Sequence, residues 1–177
     1  MITIRLAQET DLDSIQKVVA TAFSDEENKA ISNFAADLSK ETTSPPIKSL
    51  VAEIGNQVIG YVCYSPIFLK STSGTSGYIL SPLAVSPEHQ NQGIGSTLIK
   101  SGIDMLTKDG ADILLVYGDP DYYGRFGFKE EIGRLFVPPY PLEYPFGWTG
   151  MKLNKNNAPN TPIKFECVAA LSKPDLW

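Results

Sequence analysis

Apolar positions along this chain recur with two periods, and each change of period marks an element. Ile2 to Leu6 alternates apolar with polar and predicts a first strand. From about Asp11 to Phe23 the spacing becomes helical, with Ile15, Val18, Val19 and Ala22 on one face and Thr10 or Asp11 as the cap. A second helix is predicted over about Glu26 to Lys40, on Ile31, Phe34, Ala35 and Leu38, and the Thr42 to Ser49 stretch with Pro45 and Pro46 ends it. Leu50 to Ile54, a Gly55-Asn56 turn and Gln57 to Phe68 read as a β-hairpin. A flexible S-T-S-G-T-S-G loop, Ser71 to Gly77, follows it. Leu80 to Val85 predicts a strand, and Ile94, Leu98, Gly102, Met105 and Leu106 form the stripe of a third helix that Gly110 closes. Ala111 to Tyr117 then returns as a parallel strand through a right-handed crossover. Asn154 to Pro162 reads as an irregular link, and Ile163 to Leu171 as a last strand. The fold class is α/β (α+β), a central mixed β-sheet flanked by helices.

Composition narrows this further. With 177 residues, 42% of them hydrophobic, the chain is read as one domain over 1–177. A net charge of −5 argues against nucleic acid or an anionic membrane as partner and mildly favours cationic substrates. No apolar run approaches the roughly 20 residues of a membrane helix, and M-I-T-I-R-L-A-Q-E-T lacks a signal-peptide pattern, so a cytoplasmic protein is expected. Cys63 and Cys167 show no metal-ligand spacing and no C-x-x-C pair, and with a single histidine in the chain no metal is expected. Both cysteines read as reduced sheet or core residues. His89 is read as a solvated loop residue.

The chemistry concentrates in Leu80 to Ser96, L-S-P-L-A-V-S-P-E-H-Q-N-Q-G-I-G-S, where a strand passes through a glycine-bearing loop into a helix. The first turn of a helix leaves about four N–H groups without partners at the positive end of its dipole, which suits an anion. Gly93 and Gly95 lack a Cβ and let a diphosphate approach the backbone. A P-loop would need G-x-x-x-x-G-K-[ST], which is absent, and a dinucleotide fingerprint would need a third glycine or alanine where Leu98 stands. A glycine-rich turn with no ligand is the bland alternative.

What fits is Q-x-x-G-x-G at Gln90, Gly93 and Gly95, preceded by V-x-P at Val85 to Pro87. This resembles the acyl-CoA-binding motif of the GNAT superfamily of N-acetyltransferases. A second match follows one helix and one strand later: G-D-P-D-Y-Y-G-R-F-G-F, Gly118 to Phe128, is similar to the family's Y-x-x-x-G-F, with Tyr123 at the tyrosine and Gly127-Phe128 at the end. The resemblance spans about residues 2–153, leaving 154–177 as a C-terminal extension. It implies acetyl-CoA as cosubstrate, an amine acceptor and direct attack in a ternary complex. It further implies that Gln90, Asn91, Gln92, Gly93, Ile94, Gly95 and Ser96 cradle the pyrophosphate, and that the amides of Leu83, Ala84 and Val85 meet the pantetheine arm and the acetyl oxygen. Tyr123 would protonate the departing thiolate, although Tyr122 and Tyr123 also suit a packing role beside Phe126 and Phe128.

The chain departs from the commoner pattern in placing Val116 where the family often has asparagine, and Asp119 or Arg125 is the substitute contact on offer. Asp25, Glu26, Glu27 and Glu143 are the candidate bases. Tyr140, Tyr144, Phe146 and Trp148 either line an acceptor pocket or serve as core or homodimer contact. A non-catalytic acyl-CoA-binding sensor is the alternative from another class, and a nucleotide-binding protein using the same loop is a third.

Overall fold

The computed structural model describes residues 1–23, 25–70, 74–155 and 158–177, with backbone alone at 26 and 28. Strand β1 (Thr3–Leu6) leads through a 3-10 turn into α1 (Leu12–Ala22). Asp11 takes the N-cap position, yet its carboxylate serves the preceding turn, accepting from Gln8 N–H at 2.8 Å and from the Arg5 guanidinium at 2.7 and 2.8 Å. Arg5 also reaches Glu53 at 2.6 Å, which ties α1 to the sheet edge. Helix α2 (Asp25–Lys40) packs Phe34, Ala35 and Leu38 into the layer that α1 builds with Ile15, Val18 and Val19.

The hairpin pairs β2 (Lys48–Ile54) with β3 (Gln57–Leu69) through Gly55 (φ 52°) and Asn56 (φ 68°), the left-handed pair that a two-residue turn requires. Strand β4 (Gly77–Val85), helix α3 (Ile94–Lys108) and β5 (Ile113–Tyr117) follow, and β5 lies parallel to β4. Of the predicted flexible loop, residues 71–73 lie outside the described residues and Gly77 already belongs to β4. Beyond β5 come α4 (Pro120–Gly124), α5 (Glu130–Gly133), β6 (Phe136–Val137), β7 (Trp148–Lys152) and β8 (Ile163–Cys167). The main strand order is β1-β2-β3-β4-β5-β7, antiparallel except for β4/β5. Strand β8 pairs with Ile67 to Leu69 of β3, beyond the Lys48/Tyr64 pair where β2 stops. It ends at Cys167, short of the predicted Leu171, because Ala169–Leu171 turns into a 3-10 helix whose N–H groups Glu41 holds at 2.6 and 3.0 Å.

Both faces of the sheet are covered, so β5 reads as a continuous apolar run: Ile113 and Leu115 join the α1/α2 layer, Leu114 and Val116 the α3 layer. Gly102 is a glycine because Tyr64 lies across α3 there, its hydroxyl donating to Leu98 O at 3.2 Å. Cys63 is buried and Cys167 half-buried, both as free thiols.

Candidate active site

The pairing of β4 with β5 runs from Gly77/Ile113 to Leu80/Val116 and stops. At that point the β3/β4 register slips: Val62 faces Leu83 and Tyr64 faces Leu80, so β4 carries an extra residue at Ser81-Pro82. Such a bulge bends a strand, and β4 departs from β5, continuing with β3 alone. Ser86 N–H donates to Ile59 O at 2.8 Å, which fixes the alternation along this stretch. Ala84, two residues back, turns its backbone toward β3, whereas Leu83 and Val85 direct theirs into the open wedge. Of the three amides nominated from the sequence, the register therefore presents two to the wedge and turns Ala84 away.

The loop after β4 is braced by its own side chains. Gln90 Nε2 donates to Val85 O at 3.0 Å and Gln92 Nε2 to Glu88 O at 3.2 Å, so both glutamines hold the loop's shape. His89 is half-buried, its Nδ1 2.9 Å from Ser86 Oγ. Asn91 (φ 60°) and Gly93 (φ 79°) make the left-handed turns that bring the chain into α3. Gly93 O receives both Thr97 N–H and Thr97 Oγ1 at 3.0 Å. The N–H groups of Ile94, Gly95 and Ser96 precede that first helical bond, and no acidic residue stands in the first turn. They border a cavity of about 480 Å³ shared with Leu83, Val85, Tyr122 and Arg125. The Ile94 side chain itself is buried in the α3 layer, so this residue offers its backbone alone.

Helix α4 closes the wedge from the other side. Asp119 caps it, accepting from Asp121 N–H at 2.9 Å. Tyr122 reaches back over Gly95, and the Arg125 guanidinium stacks on the Tyr122 ring, 4.6 Å from its centroid. Arg125 is thus the charged residue that α4 brings to the α3 N-terminus, while Asp119 caps α4 through one carboxylate oxygen and stands at the end of β5. Tyr123 points the other way: its ring lies against Gly118, where a Cβ would come within 2.6 Å of Cε2, and meets Phe128 edge-on at 5.7 Å. Burial, then the neighbouring Tyr122 and Asp119, push the Tyr123 phenol above its ordinary value, so it is protonated at neutral pH. Val116, at the variable asparagine position, is buried and apolar.

A second cavity, about 500 Å³, opens at the end of β5, lined by Gly118 and Asp119 with Tyr117, Tyr144, Phe146 and Trp177. The four aromatics grouped from the sequence part company here. Tyr144 and Phe146 line this cavity, Tyr140 lines another beside Pro141, and Trp148 borders that other cavity from within the core, stacked on Phe165 at 6.0 Å. Among the nominated bases Glu143 borders the cavity, Asp25 and Glu27 begin α2, and the Glu26 side chain lies outside the described residues. Asp175, Leu176 and Trp177 carried no sequence signal, since their place depends on how the C-terminal segment folds back.

Comparison with known proteins follows the same lines. The model of the acetyltransferase (GNAT) family matches residues 12–128. The uncharacterized N-acetyltransferase YjhQ of Escherichia coli is 30% identical over 142 residues, covering 79% of this chain and 77% of YjhQ. Among solved structures, the Escherichia coli GNAT family N-acetyltransferase YhbS in complex with CoA superposes with a TM-score of 0.82 at 24% identity, over 97% of this chain and 92% of that one. A GNAT family acetyltransferase from Brucella melitensis in complex with acetyl-CoA gives 0.69 at 27% identity, over 96% and 97%. Among the described residues no helix is long and apolar enough to cross a membrane. The chain belongs to the acetyltransferase (GNAT) family.

Proposed function

We propose that this protein moves the acetyl group of acetyl-CoA to a primary amine by direct attack in a ternary complex. The observation that carries the reading is the wedge itself. Strand β4 leaves β5 after Leu80/Val116, the unpaired N–H groups at the start of α3 border the opening, and the protonated Tyr123 phenol on α4 packs against Gly118 at the end of β5. The pyrophosphate sits on the N–H groups of Gly93 to Ser96 with Arg125 beside it, and the pantetheine arm runs along the Leu83 backbone and the Val85 N–H, the Val85 carbonyl being held by Gln90.

The amine lone pair attacks the thioester carbonyl carbon, and the developing oxyanion is met by a β4 amide already aimed into the wedge. A preorganised donor of this kind is worth about 2.7–4 kcal/mol where measured. As the C–N bond forms the C–S bond breaks, and Tyr123 gives its proton to the coenzyme thiolate. Before attack the ammonium, with a pKa of about 10.4, sheds one proton to Glu143 or to water, and the second proton that nitrogen loses as the amide forms returns through water to the Tyr123 phenolate. Two free thiols fit a reducing compartment, and we place the protein in the cytoplasm.

Calorimetry with acetyl-CoA, CoA, ATP and NAD, followed by amine-dependent release of CoA, tests this. Selective binding of acetyl-CoA with amine-dependent release is expected. Binding without release from any amine identifies a sensor, and equal binding of ATP or NAD a nucleotide site.

A further inference from the structure

The cavity at the end of β5 lies across the sheet from the phenol assigned to the leaving group. Tyr117 packs with the α1/α2 layer and Tyr123 with the α3 layer, and Gly118 stands between them with the Tyr123 ring against it. A direct attack needs this arrangement, because donor and acceptor must reach one carbonyl carbon from different sides. The walls combine two chemistries. Tyr117, Tyr144, Phe146 and Trp177 present aromatic surface, and Tyr144 and Phe146 are 54% and 58% exposed although they meet edge-on at 5.9 Å. Asp119, Glu143 and Asp175 supply carboxylates, and among the described residues the lining holds no lysine, arginine or histidine.

Part of this wall comes from beyond the region that the family model matches, which ends at residue 128. The C-terminal segment is tied to α2 through Glu41, which holds Ala169 and Ala170, and through Lys173, 2.7 Å from Asp37. Trp177 then fastens the far end, donating from Nε1 to Leu171 O at 2.9 Å and packing on Trp148 at 5.6 Å. Asp175 and Trp177 are thereby held at the cavity instead of trailing into solvent.

We infer that this cavity is the acceptor site, that it takes a cationic amine with an apolar body, and that Asp175 and Trp177 of the C-terminal segment set that preference. The inference rests on the acetyl-transfer reading. Rings attract cations across their faces, and carboxylates of one sign in a partly enclosed site raise the local concentration of a cationic substrate while excluding an anionic one.

The test uses three acceptors of one length: 1,5-diaminopentane with a second cation, 5-aminopentanol with none, and 5-aminopentanoate with an anion. The full chain should use them in that order, with kcat/KM at least about tenfold higher for the diamine than for the alcohol. Asp175→Asn should raise KM for the diamine several-fold at unchanged kcat and shrink its advantage over the alcohol, while Trp177→Phe keeps activity and Trp177→Ala raises KM for all acceptors used. Affinity for acetyl-CoA, measured alongside by calorimetry, should be unchanged in each variant. If the wild-type protein fails to bind acetyl-CoA, the acetyl-transfer reading fails first. If it binds acetyl-CoA but acetylates the alcohol as well as the diamine, keeps its preference in Asp175→Asn, or acetylates none of the three, the acceptor inference alone is overturned.

Discussion

The Tyr122 hydroxyl lies so close over Gly95 that a Cβ on that residue would stand 2.9 Å from the phenolic oxygen. Gly95 therefore serves two partners, since its bare backbone faces the anion cavity and its missing side chain makes room for an aromatic ring from α4. Gly95→Ala should weaken acetyl-CoA binding by about tenfold and lower the unfolding midpoint, as overpacking does. Removing the hydroxyl relieves the contact, so Gly95→Ala/Tyr122→Phe should regain part of the lost stability. Calorimetry and thermal unfolding of these two variants and of Tyr122→Phe alone measure both effects, and additive losses would show that the residues are not in contact.

Tyr123→Phe keeps the ring on Gly118 and Phe128 while removing the proton donor. We expect kcat to fall by about 10²-fold with the KM for acetyl-CoA unchanged, within the usual range for a single acid catalyst. Because burial raises this phenol, its protonated form persists past the ordinary tyrosine value of about 10. The pH profile should therefore rise with deprotonation of the amine and show no downturn from Tyr123 below about pH 10. A downturn near pH 8 that disappears in Tyr123→Phe would contradict the raised phenol, and an unchanged kcat in Tyr123→Phe would overturn the assignment of Tyr123 as the acid.

Arg125 has its guanidinium stacked on Tyr122 and bordering the cavity at the start of α3. A charged hydrogen bond to phosphate is worth about 1.5–3 kcal/mol, roughly a tenfold or larger change in affinity. Arg125→Gln should raise the Kd of CoA by that factor and leave turnover of S-acetylpantetheine, which has no pyrophosphate, as it was. Equal loss with both donors would mean that Arg125 supports the fold of α4 instead.

Asp11 is held below the usual carboxylate range, first by its hydrogen bonds from Arg5 and also by the Gln8 N–H, against the opposing effect of burial. A group with a depressed folded value contributes stability above its unfolded pKa, and that contribution is lost as the pH falls through the folded value. Asp11→Asn should thus be less stable than wild type near pH 7. The difference, followed by urea unfolding, should narrow from about pH 4 downward; a gap that stays constant to pH 2 would rule out the ionic origin.

The strand, glycine loop and helix around Gly93 were legible in the sequence because each depends on residues close along the chain: an apolar run, a left-handed turn and a helical stripe. The same holds for the hairpin at Gly55-Asn56 and for the return of the chain as a parallel strand over Ala111 to Tyr117. What the tertiary structure alone decided are the relations set by pairing and return of the chain. The bulge opposite Cys63 turns the Ala84 amide to β3 and leaves Leu83 and Val85 facing the wedge. Local sequence could not assign this, because one residue of register reverses which groups face the opening. Arg125 and Asp119 were equal candidates until the cap of α4 claimed one and the Tyr122 ring placed the other. The aromatic stretch was a single group in sequence and became three environments in space. Asp175 and Trp177 reach the end of β5 because Asp37 and Glu41, at and just after the end of α2, hold their segment in place, a contact of more than a hundred residues' separation that no local periodicity encodes.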